Sequence, residues 1–233
     1  MRGTMSASSP QFDPMERPET LTEQAYQRLK AALMSGAFAP GQKITTRNIA
    51  SALGVSPTPA REAIGRLVAE RALDFDGNRS AFVPVLDKGR LAEIYEIRIA
   101  LEGLAAEAAA ESIDEAGIQS LAQCQLTLVA ARERKDFKAV LSANEEFHFT
   151  IYRASGRAML VQMIENLWLR MGPVLNLLYP EFTFDRKNVR HHEGAIRALR
   201  AGDAKGLREA IVADLTEGSG YLMQKIDQLQ SAS

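Results

Sequence analysis

The chain has 233 residues, 46% of them hydrophobic and 24% charged, a balance that excludes wholesale disorder. With 28 basic and 29 acidic residues the formal net charge is −1, so the protein is neither histone-like nor strongly acidic. The lone cysteine, Cys124, rules out an intramolecular disulfide and a cysteine-rich zinc scaffold.

Residues 1–19 read as a flexible leader: Pro10, Pro14 and Pro18 stand among scattered serines, with no apolar core of a secretory signal. Met5 and Met15 are alternative starts. No stretch approaches the roughly 18 apolar residues of a membrane span. The greasiest, 160–178, is cut by Gln162, Glu165, Asn166, Arg170 and Pro173. A cytoplasmic protein without membrane contact is expected.

Thr20 to Glu23 has the pattern of a capping box, followed by Ala25, Leu29, Ala32 and Leu33 at helical spacing and a stop at Ser35-Gly36. Pro40-Gly41 marks a turn. Thr46 to Leu53 reads as a short helix closed by Gly54. Ser56 caps a further helix to about Arg71, with Pro57 and Pro59 in the first turn, where a missing N–H costs little. Ala72–Phe75 and Ser80–Val85 are expected strands joined by the turn Asp76-Gly77-Asn78-Arg79. This order predicts a winged helix-turn-helix over 20–86. The segment holds 8 basic and 5 acidic residues, a net of +3, the sign that suits DNA.

From Asp87 onward the periodicity is helical only, over roughly 87–111, 114–134, 136–155, 157–178, 185–201 and 203–229, with Asp114, Asp136, Asp185 and Asp203 at N-cap positions. The fold class is therefore mainly α: an N-terminal winged helix-turn-helix plus a C-terminal all-α six-helix bundle, 87–229. A bundle of that size is large enough to hold a ligand cavity.

Ile49-Ala-Ser-Ala-Leu-Gly-Val-Ser56 followed by Pro57-Thr-Pro-Ala-Arg-Glu-Ala-Ile-Gly-Arg-Leu67 resembles the GntR family of bacterial transcription regulators. The second half resembles that family's FadR-type helical ligand-binding (FCD) domain through Glu96-Ile-Arg98, Leu101-Glu102, Glu146-Phe-His148, and His192 leading to Ala198-Leu199. The resemblance implies a homodimer that reads a palindromic DNA operator, most often as a repressor, under control of a small effector. It also implies that Arg47 and Arg61 contact DNA. Ser56, Thr58 and Arg61 lie in the first turn and a half of the second helix, where short hydroxyls and guanidinium groups reach base edges. Arg66 and Arg79 are further candidates for phosphate or minor-groove contacts, with Asn78 beside Arg79. Pro57 stands where the family often has Arg, and Ser80 where the wing often has Gly, departures that should shift operator preference.

Only three histidines occur: His148, His191 and His192. Asn144 precedes His148 by one helical turn, so the two share a face. His192 and Asp214 lie 10 and 12 residues either side of Gly202, at similar height on an antiparallel helix pair. Asn144, His148, His192 and Asp214 would make a site for a divalent metal of the Zn, Ni or Mn type. The resemblance places the family's ligands at these four positions, usually one Asp and three His; here Asn144 replaces the Asp and Asp214 replaces the last His. His191 is expected to be exposed.

Arg98 falls on the apolar stripe Leu91, Ile94, Leu101, Ala105, and Arg170 on Met163, Leu167, Val174. A guanidinium on an apolar face needs an anion. That anion is either an internal carboxylate such as Glu102 or the carboxylate of a small organic-acid effector, with Tyr95 and Trp168 as walls. Alternative readings are a metal-free pocket for a fatty-acyl-like ligand and a bundle that serves only dimerisation. A metal-dependent hydrolase is opposed by the absence of His-Glu-x-x-His, Gly-x-Ser-x-Gly and a phosphate loop, since Gln42 breaks the pattern of 36–43. Cys124, mid-helix among leucines, is expected to be buried and inert.

Overall fold

The first helix, α1 (Leu21–Met34), starts where Thr20 Oγ1 accepts the N–H of Glu23 at 3.2 Å. Only this half of the capping box forms, because the Glu23 carboxylate turns to Gln27 and Arg66 instead. The computed structural model describes residues 19–77, 80–175 and 186–231; residues 1–18 of the leader, Asn78 and Arg79, and the proposed cap Asp185 lie outside them. A two-residue strand, β1 (Lys43–Ile44), leads into α2 (Thr46–Leu53) and α3 (Pro57–Ala69). Between those helices Gly54 takes a left-handed φ of 66°, which a side chain would resist, and this sharp turn lets α3 cross α2. Ser56 occupies the N-cap of α3 in extended conformation but makes no side-chain cap hydrogen bond.

The wing is shorter than its sequence suggests: β2 (Asp74–Phe75) and β3 (Ala81–Phe82) are two residues each. It also has a third member. β3 lies between β1 and β2, antiparallel to both, with Lys43 opposite Phe82 and Ile44 opposite Ala81. The turn expected at Pro40-Gly41 therefore delivers a strand that pairs with the wing's second strand.

Among the described residues six helices follow: α4 (Lys88–Ala109), α5 (Glu115–Glu133), α6 (Phe137–Ala154), α7 (Ala158–Leu175), α8 (Arg186–Ala201) and α9 (Ala204–Ser231). Asp87, Asp114, Asp136 and Asp203 each accept a backbone N–H three residues on, at 2.8, 2.8, 3.1 and 2.9 Å. The helices pair as α4 with α9, α5 with α6 and α8 with α9. None of the described helices is long and apolar enough to cross a membrane.

The apolar core does not stop at the boundary between the halves. One cluster of buried residues runs from Ala25, Leu29 and Leu33 through Leu67 to Trp168, Leu169, Met171 and Ile226. The joint is α1 against α7. A Cβ added to Gly172 would lie 2.0 Å from the Leu33 carbonyl oxygen, so only glycine permits this backbone approach. Beside it, Lys30 Nζ meets Glu165 Oε2 at 2.6 Å. The reading domain is thereby packed on a helix of the bundle rather than hung from a linker.

Candidate functional site

On α3 the inward stripe Ala60, Ala63, Ile64 and Leu67 is buried, and Thr58, Arg61 and Gly65 present the opposite, exposed face. Arg47 at the start of α2 and Ser56 at the cap are exposed as well. Arg61 borders a groove of about 800 Å³ between α3 and the sheet, lined also by Ile44, Thr46, Phe75 and Ala81, where Gly65 leaves open space. A helix with small side chains, a hydroxyl and an arginine on its outer face suits a major groove.

Arg66 has a different occupation. It bonds Glu23 at 2.8 Å and Glu70 at 3.2 Å, and its guanidinium lies 3.6 Å from the Tyr26 ring centre. Tyr26 in turn donates to Glu70 at 2.8 Å. This cluster fastens α1 to α3. Arg79 lies outside the described residues.

In the bundle, α6, α8 and α9 bring His148, His192 and Asp214 together, with one ligand atom from each all within 4.8 Å of one another. His148 and His192 are 1% and 3% exposed, so the burial of three polar groups here demands compensation. Asn144 lies half-buried on α6, one turn before His148.

The surroundings decide which nitrogen faces inward. Tyr152 spends its single proton on Glu102 Oε2 in a short hydrogen bond, so its oxygen must accept from His148 Nδ1, 3.0 Å away. His148 Nε2 is then left facing Asp214 Oδ2 at 3.2 Å. Two electron-rich atoms at that distance need positive charge between them, either a second proton or a cation. His192 is held the same way: Gln125 Oε1 accepts from Nδ1 at 2.7 Å, and Nε2 is buried with no partner among the described residues. Burial pushes the His192 imidazole down to about 4, which keeps that lone pair free at neutral pH. Burial alone would raise the Asp214 carboxyl, but the His148 hydrogen bond and the neighbouring imidazoles hold it below its ordinary value. Two imidazole lone pairs and one carboxylate, each steered by an outer partner, form a donor set that fits a divalent cation.

The sequence pattern gave no sign of Gln125 or Tyr152 in these roles. Gln125 stands between Leu121 and Leu128 on the buried stripe of α5, and a polar residue on such a stripe is the one signal that marks it. His191 departs from expectation: it is half-buried and pairs with Glu217 at 2.8 Å. Cys124 is half-buried, its thiol pushed up by burial.

Arg98 is 4% exposed and finds the internal partner, Nε reaching Glu102 Oε1 at 2.6 Å and Nη2 reaching Oε2 at 3.4 Å. Glu102 also accepts from Trp168 Nε1 at 3.1 Å. Tyr95 is buried beside Arg98, its hydroxyl pushed up to about 12, chiefly by burial. Arg170 is not in the bundle interior. It sits on the face of α7 turned to the reading domain, Nη2 3.5 Å from the Glu70 carbonyl and Nε buried without a partner among the described residues.

A winged helix-turn-helix seated on a helical bundle is the architecture of a DNA-binding transcription regulator. Residues 21–83 match the bacterial regulatory proteins of the gntR family, and residues 93–217 match the FCD domain. The chain belongs to the GntR family and carries an FCD domain. It is 34% identical to the transcriptional regulator McbR of Escherichia coli over 90% of this chain and 96% of McbR. The solved E. coli McbR/YncC structure superposes with a TM-score of 0.84, covering 89% of this chain and 99% of that one. The gluconate operon transcriptional repressor of Bacillus subtilis is 24% identical over 92% of this chain and 88% of its own length. These relatives and both matched families are regulators, not enzymes.

Proposed function

We propose that the chain is a homodimeric, cytoplasmic transcription repressor whose bundle binds a small organic acid together with a divalent cation of the zinc, nickel or manganese type. Each winged helix would read half of a palindromic operator through Arg47, Ser56, Thr58 and Arg61, because a two-fold protein mirrors a two-fold site. The repressor sign is supported by the B. subtilis relative, which is named a repressor. The observation that carries the sensory half is the convergence of His148 Nε2, the unpartnered His192 Nε2 and the Asp214 carboxylate.

In this reading His148, His192 and Asp214 hold the cation, with Asn144 as a fourth, neutral oxygen donor. A cation bound there would supply a Lewis-acidic anchor for an effector carboxylate. The chain's own residues provide the path to DNA. Glu102 ties Tyr152 and Arg98 to Trp168 on α7, whose ring centre is 5.5 Å from that of His148. Glu165 and Gly172 on the same helix engage α1 of the reading domain. A shift of α7 in response to the site would change the spacing of the two recognition helices.

Elemental analysis of the purified protein tests this. About one divalent metal per chain is expected, and His148→Ala with His192→Ala should abolish it. Stoichiometric metal retained in the double variant, or a wild-type protein that binds no added zinc, nickel or manganese by calorimetry, would overturn the reading.

A further inference from the structure

A cleft of about 580 Å³ opens at the seam between the wing and the bundle, away from the His148 centre. It is bounded by Arg71 and Phe75 of the reading domain, Arg90 and Ile97 of α4, and Leu167 and Arg170 of α7. We propose that this cleft is a second ligand site, taking a small organic anion with an apolar body. Its occupant would bridge the DNA-reading domain and the bundle.

Three guanidinium groups line one cavity, and among the described residues none of them forms an ion pair. Asp74 and Glu93 also line it, but they pair with none of the three and leave one positive charge in excess. Arg66, Arg98, Arg153 and Arg208, by contrast, each meet a carboxylate within 3.2 Å. The half-buried Arg170 is the most telling, since its Nε has lost water and gained no acceptor.

Phe75 and Ile97, 55% and 42% exposed, both line the cleft from facing elements. With Leu167 they give the cleft an apolar lining beside its guanidinium groups, the composition of a site for an organic acid rather than for inorganic phosphate. The volume is that of a ligand of metabolite size. Arg71 adds a backbone observation: it holds a left-handed φ of 56° at the end of α3, a strain that glycine would avoid, and so places a guanidinium at the rim. Lys135 is the other described non-glycine residue with positive φ.

The walls of this cleft come from α3 and the wing on one side and α4 and α7 on the other. An anion gripped by arginines from both sides would fix their relative orientation, and with it the position of the recognition helix.

The test uses the full chain and 4-bromobenzoate as probe, by calorimetry and by bromine anomalous scattering from soaked crystals. We expect a bromine site among Phe75, Ile97 and Leu167. Affinity should fall about tenfold in Arg71→Gln and in Arg170→Gln, with Arg170→Lys recovering part of it. Neutral 4-bromobenzamide should bind about tenfold more weakly than the acid. If Arg170→Gln fails to fold, the exposed Arg71→Gln and Arg90→Gln carry the comparison. Unchanged affinity in the arginine variants, or no binding at all, overturns the proposal. So does an Arg71→Gln protein that loses DNA affinity but keeps the probe. A bromine site beside His148 and none in the cleft overturns it too, while leaving the metal-centred reading intact.

Discussion

Replacing Gly172 by alanine probes the joint on which communication between the halves depends. The new Cβ would stand 2.0 Å from the Leu33 oxygen and 2.8 Å from both Leu33 C and Met34 Cα, all main-chain atoms. Ordinary contact lies near 3.5 Å, so α7 must retreat from α1 by roughly 1.5 Å, and no flexible side chain can yield in its place. Overpacking of this kind costs about 1–3 kcal/mol, and a rigid obstacle puts it at the upper end. Alanine returns about 1 kcal/mol through its better helix propensity, leaving a net loss near 2 kcal/mol. For a chain of this length that corresponds to a melting temperature roughly 4–8 °C lower by calorimetry. A melting temperature equal to or above wild type would show that α1 and α7 do not meet as described.

Other substitutions separate the roles assigned here. Arg61→Ala should weaken binding to an operator selected from random duplexes by about 1–3 kcal/mol in fluorescence anisotropy, with an unchanged melting curve. Arg66→Ala should do the reverse, costing about 1 kcal/mol of stability through its ring contact and two partly exposed pairs while operator affinity stays within about twofold; a large affinity loss would return Arg66 to the DNA face. Glu102→Ala leaves Arg98 buried and unpaired and should cost about 3–5 kcal/mol in urea denaturation, most of it recovered in the Arg98→Met, Glu102→Leu double variant. If the single variant is as stable as wild type, Glu102 is not the hub described.

Much of the fold was legible because its signals are local. Gly54, Ser56 and the two prolines of α3 punctuate the helix-turn-helix, and aspartates mark the starts of α5, α6 and α9. The strand β1 was not, since a two-residue segment has no periodicity and exists only through its pairing with β3. His192 and Asp214 could be matched because distance from a turn fixes height on a helical hairpin. Gln125 and Tyr152 could not, because their partners depend on how α5 packs against α8 and how α6 packs against α4. Arg170 shows the limit of periodicity on a helix that carries apolar residues on two faces. The bundle-facing stripe of α7 is Leu160, Ile164, Trp168 and Met171, and the parallel stripe through Leu167 and Arg170 faces the other domain.

In the proposed reading the bundle's His148 centre governs DNA reading by α3. Operator affinity should therefore be measured by anisotropy on wild type and His192→Ala, each stripped of metal and then supplied with zinc. Zinc should shift the affinity of wild type at least fivefold and leave the variant unmoved. Equal affinities for stripped and zinc-supplied wild type, or the same shift in both proteins, would contradict it.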